Sequence, residues 1–591
     1  MPYPEREQTS HRFFITRSVE EDSNLGEQMI CLQRQSAPKT PARTWHEIDW
    51  ITCKRNVESL QVRIVKARKA GRHNRVKALQ WLLTHSFSGK VLAIRRVTEN
   101  KGKNTPGVDG ETWNTPEAKW QAIRILTRRG YRSHPLRRVY IPKANGKKRP
   151  LGIPTMRDRA MQALYLLALD PIAETTGDRH SYGFRRQRSC ADAMAQCHIV
   201  LSGKHSARWV LEGDIQGCFD QISHEWILRH IPLDQKVLRA WLKAGVMEQD
   251  TFHPTEEGTP QGGIISPVIA NMALDGLEKA LEAVGVKRNT RGKLVSNPHK
   301  VNLIRYADDF LITGISRTVL EQIVQPLVAT FLRERGLTLS SEKTRVTYID
   351  EGFDFLGQQI RRYKGKVLIK PAKKSIKAVL TKIRGIIRAH ATAKAAYLIQ
   401  HLNPILRGWV NYHRHICAKE TFCRVDHAIQ CALWRWAARR HHQKSVRWIW
   451  RRYFLSKDRQ YGVFTDTING RTVRLIRASE VAITRHVKVR TDVNPYVSAD
   501  RAYYRMRIER TMKGRLKGMH WRIWTRQHGR CPVCHGMLSE ERGRHLHHCD
   551  RDASNTVLTN LILLHPNCHR LVHNPVGRIQ AASVTPDVRR A

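Results

Sequence analysis

Val301-Asn302-Leu303-Ile304-Arg305-Tyr306-Ala307-Asp308-Asp309-Phe310-Leu311-Ile312 is the stretch on which the reading of this chain turns. Two apolar runs, Val301 to Ile304 and Phe310 to Ile312, enclose adjacent carboxylates. The pattern predicts a short buried hairpin whose tip presents Asp308 and Asp309. Mg²⁺ favours a few carboxylates together with substrate phosphates, and paired ions clamp both oxygens of an in-line phosphoryl displacement. Such chemistry needs a further carboxylate from elsewhere in the chain. Asp214 is the best candidate, because Val210-Leu211-Glu212-Gly213-Asp214-Ile215 again runs from apolar residues into an acid. Aspartate is also a common turn former. Asp214 and the motifs that follow favour a metal site over two solvated turn residues.

The chain has 591 residues, enough for several domains. Its 103 Lys plus Arg outnumber 51 Asp plus Glu, a net charge of +52 that calls for a polyanionic partner. Basic patches recur at Arg137-Arg138, Lys147-Lys148-Arg149, Arg361-Arg362 and from Arg435 to His442. No apolar run approaches the roughly 20 residues of a membrane span, and no signal peptide is visible. The expectation is a cytoplasmic, nucleoid-associated protein with no membrane partner. Twelve cysteines are scattered without a secreted disulfide pattern, and only Cys531 and Cys534 form a close pair of the kind metals use. Trp434 and Trp436 stand at helical spacing and read as core rather than as base-stacking groups.

Along the chain, residues 1–44 are polar and aperiodic, a tail. Residues 45–98 carry a helical pattern through Leu60, Ile64, Leu79, Leu82 and Leu83, and 45–115 is taken as a helical N-terminal extension. Between 116 and 362, short strands alternate with helices. Val139-Tyr140-Ile141-Pro142 and Arg149-Pro150-Leu151-Gly152-Ile153-Pro154 bracket a basic turn and predict a hairpin; a helix follows from Asp158. Residues 363–455 turn helical, with apolar stripes and basic faces. Residues 456–525 read as a DNA-binding or linker region, with a linker near 494–520. A small module occupies 526–575, and 576–591 is a tail.

The C-terminal module is read from spacing. Cys531-Pro532-Val533-Cys534 is one half of a structural zinc site, and His565-Pro566-Asn567-Cys568 matches it as the other half, with Cys549 as a rival to His565. Between and beyond these halves stand His547, His548, Asn560, His569 and His573. The spacing of His569 and His573 puts both on one helical face.

Eight motifs occur in order: Thr105-Pro106-Gly107-Val108-Asp109-Gly110; Arg138 to Lys143 running to Arg149-Pro150-Leu151-Gly152-Ile153-Pro154; Ser181-Tyr182-Gly183-Phe184-Arg185; Asp214-Ile215-Gln216-Gly217-Cys218-Phe219-Asp220; Gly258-Thr259-Pro260-Gln261-Gly262-Gly263; Tyr306-Ala307-Asp308-Asp309; Gly336 to Ser340 leading to Glu342-Lys343-Thr344; and Phe353-Asp354-Phe355-Leu356-Gly357. With the C-terminal module, they make the chain resemble the bacterial group II intron-encoded proteins, which join a reverse transcriptase and maturase to an HNH nuclease. The resemblance spans roughly residues 45–575, and Asn403-Pro404-Ile405-Leu406-Arg407-Gly408-Trp409 resembles the maturase segment.

The resemblance implies an α+β multidomain fold: right-hand fingers and palm, an α-helical thumb or maturase X domain, and a zinc-stabilised HNH ββα-metal domain. It implies that Asp214, Asp308 and Asp309 are catalytic and hold Mg²⁺, with Lys143, Arg149, Phe219 and Gln261 around the deoxynucleoside triphosphate. It implies His548 as general base, Asn560 orienting its loop, His547, His569 and His573 on a divalent metal, and Cys531, Cys534, His565 and Cys568 on Zn²⁺. Asp550 to Thr559 departs from the family by lacking a Gly-Gly loop, which puts cleavage more in question than the fold. The implied activities are RNA-directed DNA polymerisation, assistance to intron splicing, and nicking of double-stranded target DNA in intron homing. The implied partners are a group II intron RNA and target DNA, and the reading leaves room for a homodimer. The alternatives are a retron or defence-type reverse transcriptase, and an RNA-binding splicing cofactor whose enzymes are inactive.

Overall fold

The computed structural model describes residues 42–142, 146, 148–259, 262–288, 294–455, 462–468, 470–539 and 543–573. Its N-terminal part is a layer of three helices, α1 (Trp50–Lys69), α2 (His73–His85) and α3 (Phe87–Thr98). The Asp49 side chain accepts the Ile51 and Thr52 N–H groups and so begins α1. Val57, Ile64, Leu79 and Leu83 close a small core against Ala168 and Ile172. Strands β1 (Leu136–Pro142) and β2 (Lys148–Ile153) form the expected antiparallel hairpin, and β1 continues into a parallel pairing with Val246–Glu248.

Helix α4 (Met156–Thr176), capped by Thr155, runs through the largest core. After it come α5 (Cys190–Leu201) and β3 (Trp209–Gly213). The apolar runs of the opening hairpin become β4 (Asn302–Tyr306) and β5 (Asp309–Gly314). With β6 (Arg345–Tyr348) they build a four-stranded antiparallel sheet in the order β6–β3–β5–β4. Its inner positions, among them Leu211, Leu303, Phe310 and Ile312, pack on the α4 layer.

Four helices follow: α6 (Lys373–Ala389), α7 (Ala395–His413), α8 (Lys419–Arg440) and α9 (Val446–Tyr453). Ile383, Leu398, Leu402, Leu406, Val425 and Leu433 form their own core. Trp436 is buried there and Trp434 packs against it, as expected for core residues.

The linker expected near 494–520 is not one. Residues 501–513 form helix α10 (Arg501–Lys513), and the chain before it is strapped across the palm. The fully buried Asp192 of α5 is the anchor. One of its carboxylate oxygens accepts His486 Nε2 (2.9 Å), the Val489 N–H (2.7 Å) and Arg507 Nη2 (2.8 Å). Burial opposes its charge, yet these hydrogen bonds and the Arg507 and His486 charges bring its pKa down to about 2. Tyr496 donates to Asp170, and Asn494 to Thr175. The sequence hid this because the strap is held by dispersed polar pairs rather than by an apolar period.

After α11 (Gly518–Arg526), the chain ends in a ββα unit of β7 (His545–His548), β8 (Leu561–Leu564) and α12 (Pro566–His573). Its core of Ile523, Trp524, Leu538, Leu561 and Leu563 is separate from the others.

Candidate functional site

The palm site follows from strand pairing. Gly213 at the end of β3 pairs with Phe310 of β5, so Asp214 emerges beside Asp309. Tyr306 pairs with Asp309 across the tight turn Ala307-Asp308. Asp308 therefore occupies the turn, while Asp309 opens β5 instead of sharing the tip. Gly213 is obligatory: a Cβ there would lie 2.1–2.7 Å from the Phe310 ring.

The turn is braced from beneath. Ala307 adopts φ 59°, a costly conformation for a residue with a Cβ. A Cβ on Gly183 would stand 2.4 Å from the Ala307 nitrogen, so the Ser181–Arg185 motif lies directly on the turn. Tyr182 N–H donates to Arg305 O, and Arg305 N–H to His180 O. The Arg305 side chain is fully buried; it donates to Asp275, to Asn271 Oδ1 (3.1 Å) and to Ala307 O (3.4 Å). Asn271 in turn donates to Gly183 O (2.8 Å). One guanidinium thus ties the strand, the motif and the turn together.

Gly336–Ser340 supports the other acid. Ser340 N–H donates to Asp214 O and Gln216 N–H to Thr338 O. Lys343 Nζ lies 2.8 Å from Asp214 Oδ2. Asp309 is exposed by surface area, but desolvation of its carboxyl and then the charges of Asp308 and Asp214 push its pKa up to about 6. The exposed surface tempers the burial part, leaving repulsion among three acids as the firmer cause. Three carboxylates on adjacent strands are a donor set suited to a hard divalent cation.

Phe219 lies in the short helical turn Cys218–Gln221 after Gly217 and is half-buried against the palm core. Thr259 N–H donates to Phe219 O, and Gly258 lies so close that a Cβ would be 2.6 Å from the Asp220 backbone. Arg149 pairs with Ile141 in the β1–β2 hairpin and is exposed. Lys143 and Gln261 lie outside the described residues.

The C-terminal module gathers two further sets. One ligand atom from each of Cys531, Cys534, His565 and Cys568 lies within 4.8 Å of all the others. His565 Nε2 donates to Met537 O (3.0 Å), which leaves Nδ1 facing the Cys534 sulfur at 3.3 Å. The Cys531 thiol is pulled well down by hydrogen bonds with Cys534 and Cys568, while Cys568 is pushed well up by those with Cys531 and Cys534. Three sulfurs and one imidazole at this range fit a tetrahedral thiophilic cation. Cys549 is exposed and stands outside the set.

His547, His569 and His573 form the second set under the same 4.8 Å limit. Burial, and then the neighbouring imidazoles, push His547 down to about 4, so it is neutral and ready to ligate at physiological pH. His548, next along β7, faces the opposite way from His547 and is half-buried. Asn560 fastens the loop after it: Asn560 O accepts the Cys549 N–H (2.8 Å), and its side chain exchanges two hydrogen bonds with Asp550. Within this loop Arg551 adopts φ 65°, Asp552 accepts the Ser554 N–H and Asn555 donates to Asp550.

Lys343, Arg305 and Asp192 were not among the sequence candidates. Lys343 stands inside a quoted motif and Arg305 just before one, a signal of sorts; Asp192 gave none.

The palm and its braced acidic hairpin define a reverse-transcriptase polymerase. Family models agree: residues 141–360 match "Reverse transcriptase (RNA-dependent DNA polymerase)", 45–126 match "N-terminal domain of reverse transcriptase", and 376–454 match "Group II intron, maturase-specific domain". The chain is 33% identical to Protein YkfC of Escherichia coli (strain K12), over 46% of this chain and 80% of that protein. It is 31% identical to the group II intron-encoded protein LtrA of Lactococcus lactis subsp. cremoris, over 46% of this chain and 54% of LtrA. It thus spans only about half the length of LtrA. A telomerase structure from Candida albicans aligns over 54% of this chain and 64% of its own, with 11% identity and a TM-score of 0.32. The chain belongs to the group II intron reverse transcriptase and maturase family. Among the described residues, no helix is long and apolar enough to cross a membrane.

Proposed function

We propose that this protein is a multifunctional intron-encoded enzyme that copies its intron RNA into DNA, helps that RNA splice, and nicks target DNA through its C-terminal module. The observation that carries the reading is the convergence of Asp214, Asp308 and Asp309 from β3 and the β4–β5 hairpin.

In the palm, Asp214 and Asp308 hold the divalent cations, and Asp309 assists beside the primer end. Bound Mg²⁺ supplies neutralisation of the charge that builds on the attacking and leaving oxygens. The primer 3′-oxygen bonds to the α-phosphorus, the bridging bond to the β-phosphate breaks, pyrophosphate leaves, and the hydroxyl proton passes to solvent. Lys343 pairs directly with Asp214 and helps fix the direction of its carboxylate. Arg149 and Lys143 grip the triphosphate from the fingers hairpin, a task suited to a forked guanidinium and a point charge. Phe219 crowds the 2′ position of the sugar, and Gln261 lies by the nucleotide and template. Helices α6 to α9 bind the intron RNA by shape and phosphate.

In the C-terminal module, Cys531, Cys534, His565 and Cys568 hold a structural Zn²⁺. His547, His569 and His573 hold a catalytic divalent metal. His548 takes the proton of the attacking water, and Asn560 fixes the loop that follows it.

The test is primer extension on an RNA template with Mg²⁺. Asp308→Ala should abolish extension while RNA binding stays intact. Full extension by that variant would refute the assignment of the palm.

A further inference from the structure

The thumb holds a cavity that the polymerase chemistry does not use. It lies between the C-terminal halves of α6 and α8, has a volume of about 720 Å³, and is ringed by Arg384, Arg388, Arg435, Arg439 and Arg440 over Trp436. No Asp or Glu lines it. Among the described residues, none of these five guanidinium groups is in an ion pair with a carboxylate. Their recorded protein bonds go to backbone carbonyls, Arg435 to Cys431 O and Arg440 to Ala393 O. Arg384 Nε is buried with no hydrogen-bond partner.

Helix electrostatics account for part of this. Cations in the last turn complement the negative end of a helix, and Arg388, Arg439 and Arg440 occupy last turns. Arg384 and Arg435 lie about a turn earlier. Five like charges around one concavity repel each other unless an anion joins them. Arg440 already covers Trp436, its guanidinium carbon 5.4 Å from the ring centroid, so the floor is apolar and the rim cationic. The volume is on the scale of a small-ligand pocket. Guanidinium forks match phosphate oxygens. Arg388 lies about 22 Å along α6 from its start at Lys373, at roughly 1.5 Å per residue.

We infer that this cavity is a nucleotide-phosphate pocket, which lodges one unstacked nucleotide of the bound RNA by its phosphate, with the sugar and base over the Trp436 floor. The inference rests on the reading of the thumb as an RNA-binding element. It adds a discrete site to a diffuse basic face.

The same chemistry is available from free nucleoside triphosphate, and the experiment separates the two sources. Full-length protein is compared with the Arg388→Gln/Arg435→Gln variant, after matched thermal melts show that both are folded. The first probe is a fluorescent single-stranded RNA of twenty nucleotides, titrated over a range of salt. The variant should bind it ten- to a hundredfold more weakly, and its slope of log affinity against log salt should be shallower by about 1–2, the signature of lost phosphate contacts. A 4-thiouridine version of the RNA should photo-crosslink to the peptide that contains Trp436, and 1 mM ATP should not remove that crosslink.

Equal RNA affinity and salt slope in the two proteins would overturn the pocket, as would displacement of the crosslink by ATP. Neither result would touch the polymerase. Failure of the wild-type protein to bind any RNA would instead refute the thumb reading itself.

Discussion

The palm and the C-terminal module both assemble groups suited to a cation, by opposite routes. In the palm, Asp214 and Asp308 come from distant parts of the chain and meet only because β3 pairs with β5. The C-terminal module takes its ligands from short local spacings, Cys531 with Cys534 and His565 with Cys568, closed by one hairpin and one helix. The palm site is therefore held by a large core and a buried polar brace, and its acids are free to serve chemistry. The module has a small core, and in the proposed function a cation on its four-ligand set supplements that core. Small domains of this size commonly depend on such a metal.

Removing the cation proposed for the four-ligand set should give the largest effect. Cys531→Ala or Cys568→Ala should release bound zinc, measured by a colorimetric chelator, and open residues 526–573 to protease while 45–454 stay resistant. Structural zinc sites contribute roughly 10–16 kcal/mol, more than a module with so little core can replace. An intact, protease-resistant module in the variant would show that the comparison is wrong.

Breaking the palm brace should cost less. Arg305→Leu removes the ion-pair partner of Asp275, which keeps the Asp178 N–H, a change worth about 3–5 kcal/mol. The denaturant midpoint should fall, and primer extension with it. Zinc content should not change. Arg305→Lys should recover part of the stability and less of the activity, because one ammonium cannot reach both Asp275 and the Ala307 carbonyl.

The smallest effect is a pH dependence. Asp309 has its pKa raised to about 6, so below that pH a proton occupies it and a cation must displace the proton. Above pH 7 the carboxylate is ionised and no such competition exists. The Mg²⁺ concentration for half-maximal extension should therefore rise by up to about tenfold per unit as pH falls below 6. Asp309→Asn should flatten that dependence. An unchanged Mg²⁺ requirement between pH 7 and 5.5 would place the proton elsewhere.

The sequence was legible where a signal was local. The β4–β5 hairpin shows as two apolar runs around two acids, the thumb helices as apolar stripes, and the Cys and His spacings as a metal frame. Asp214 was singled out because an apolar run again ends in an acid, although nothing in that local pattern says which strands pair. The strap from 480 to 507 stayed hidden because its anchor, Asp192, reads as an ordinary helix-capping acid, and its partners His486 and Arg507 lie in a polar stretch with no period. Arg305 stayed hidden because a cation inside an apolar strand reads as an interruption; its value shows only once Asp275 and Asn271 are beside it. Lys143 and Gln261 fall outside the described residues, so their roles rest on motif position.

The separation of the two centres is the central claim, and one paired assay tests it most directly. The purified ribonucleoprotein is given a double-stranded DNA target, and second-strand nicking and complementary-DNA synthesis are read in the same reaction. Synthesis from a supplied primer is read alongside. Asp308→Ala should lose all synthesis and keep nicking. His548→Ala should lose nicking by a factor of about a hundred or more, and keep synthesis from the supplied primer. Loss of both activities in either variant, with the protein folded and RNA bound, would contradict two independent sites.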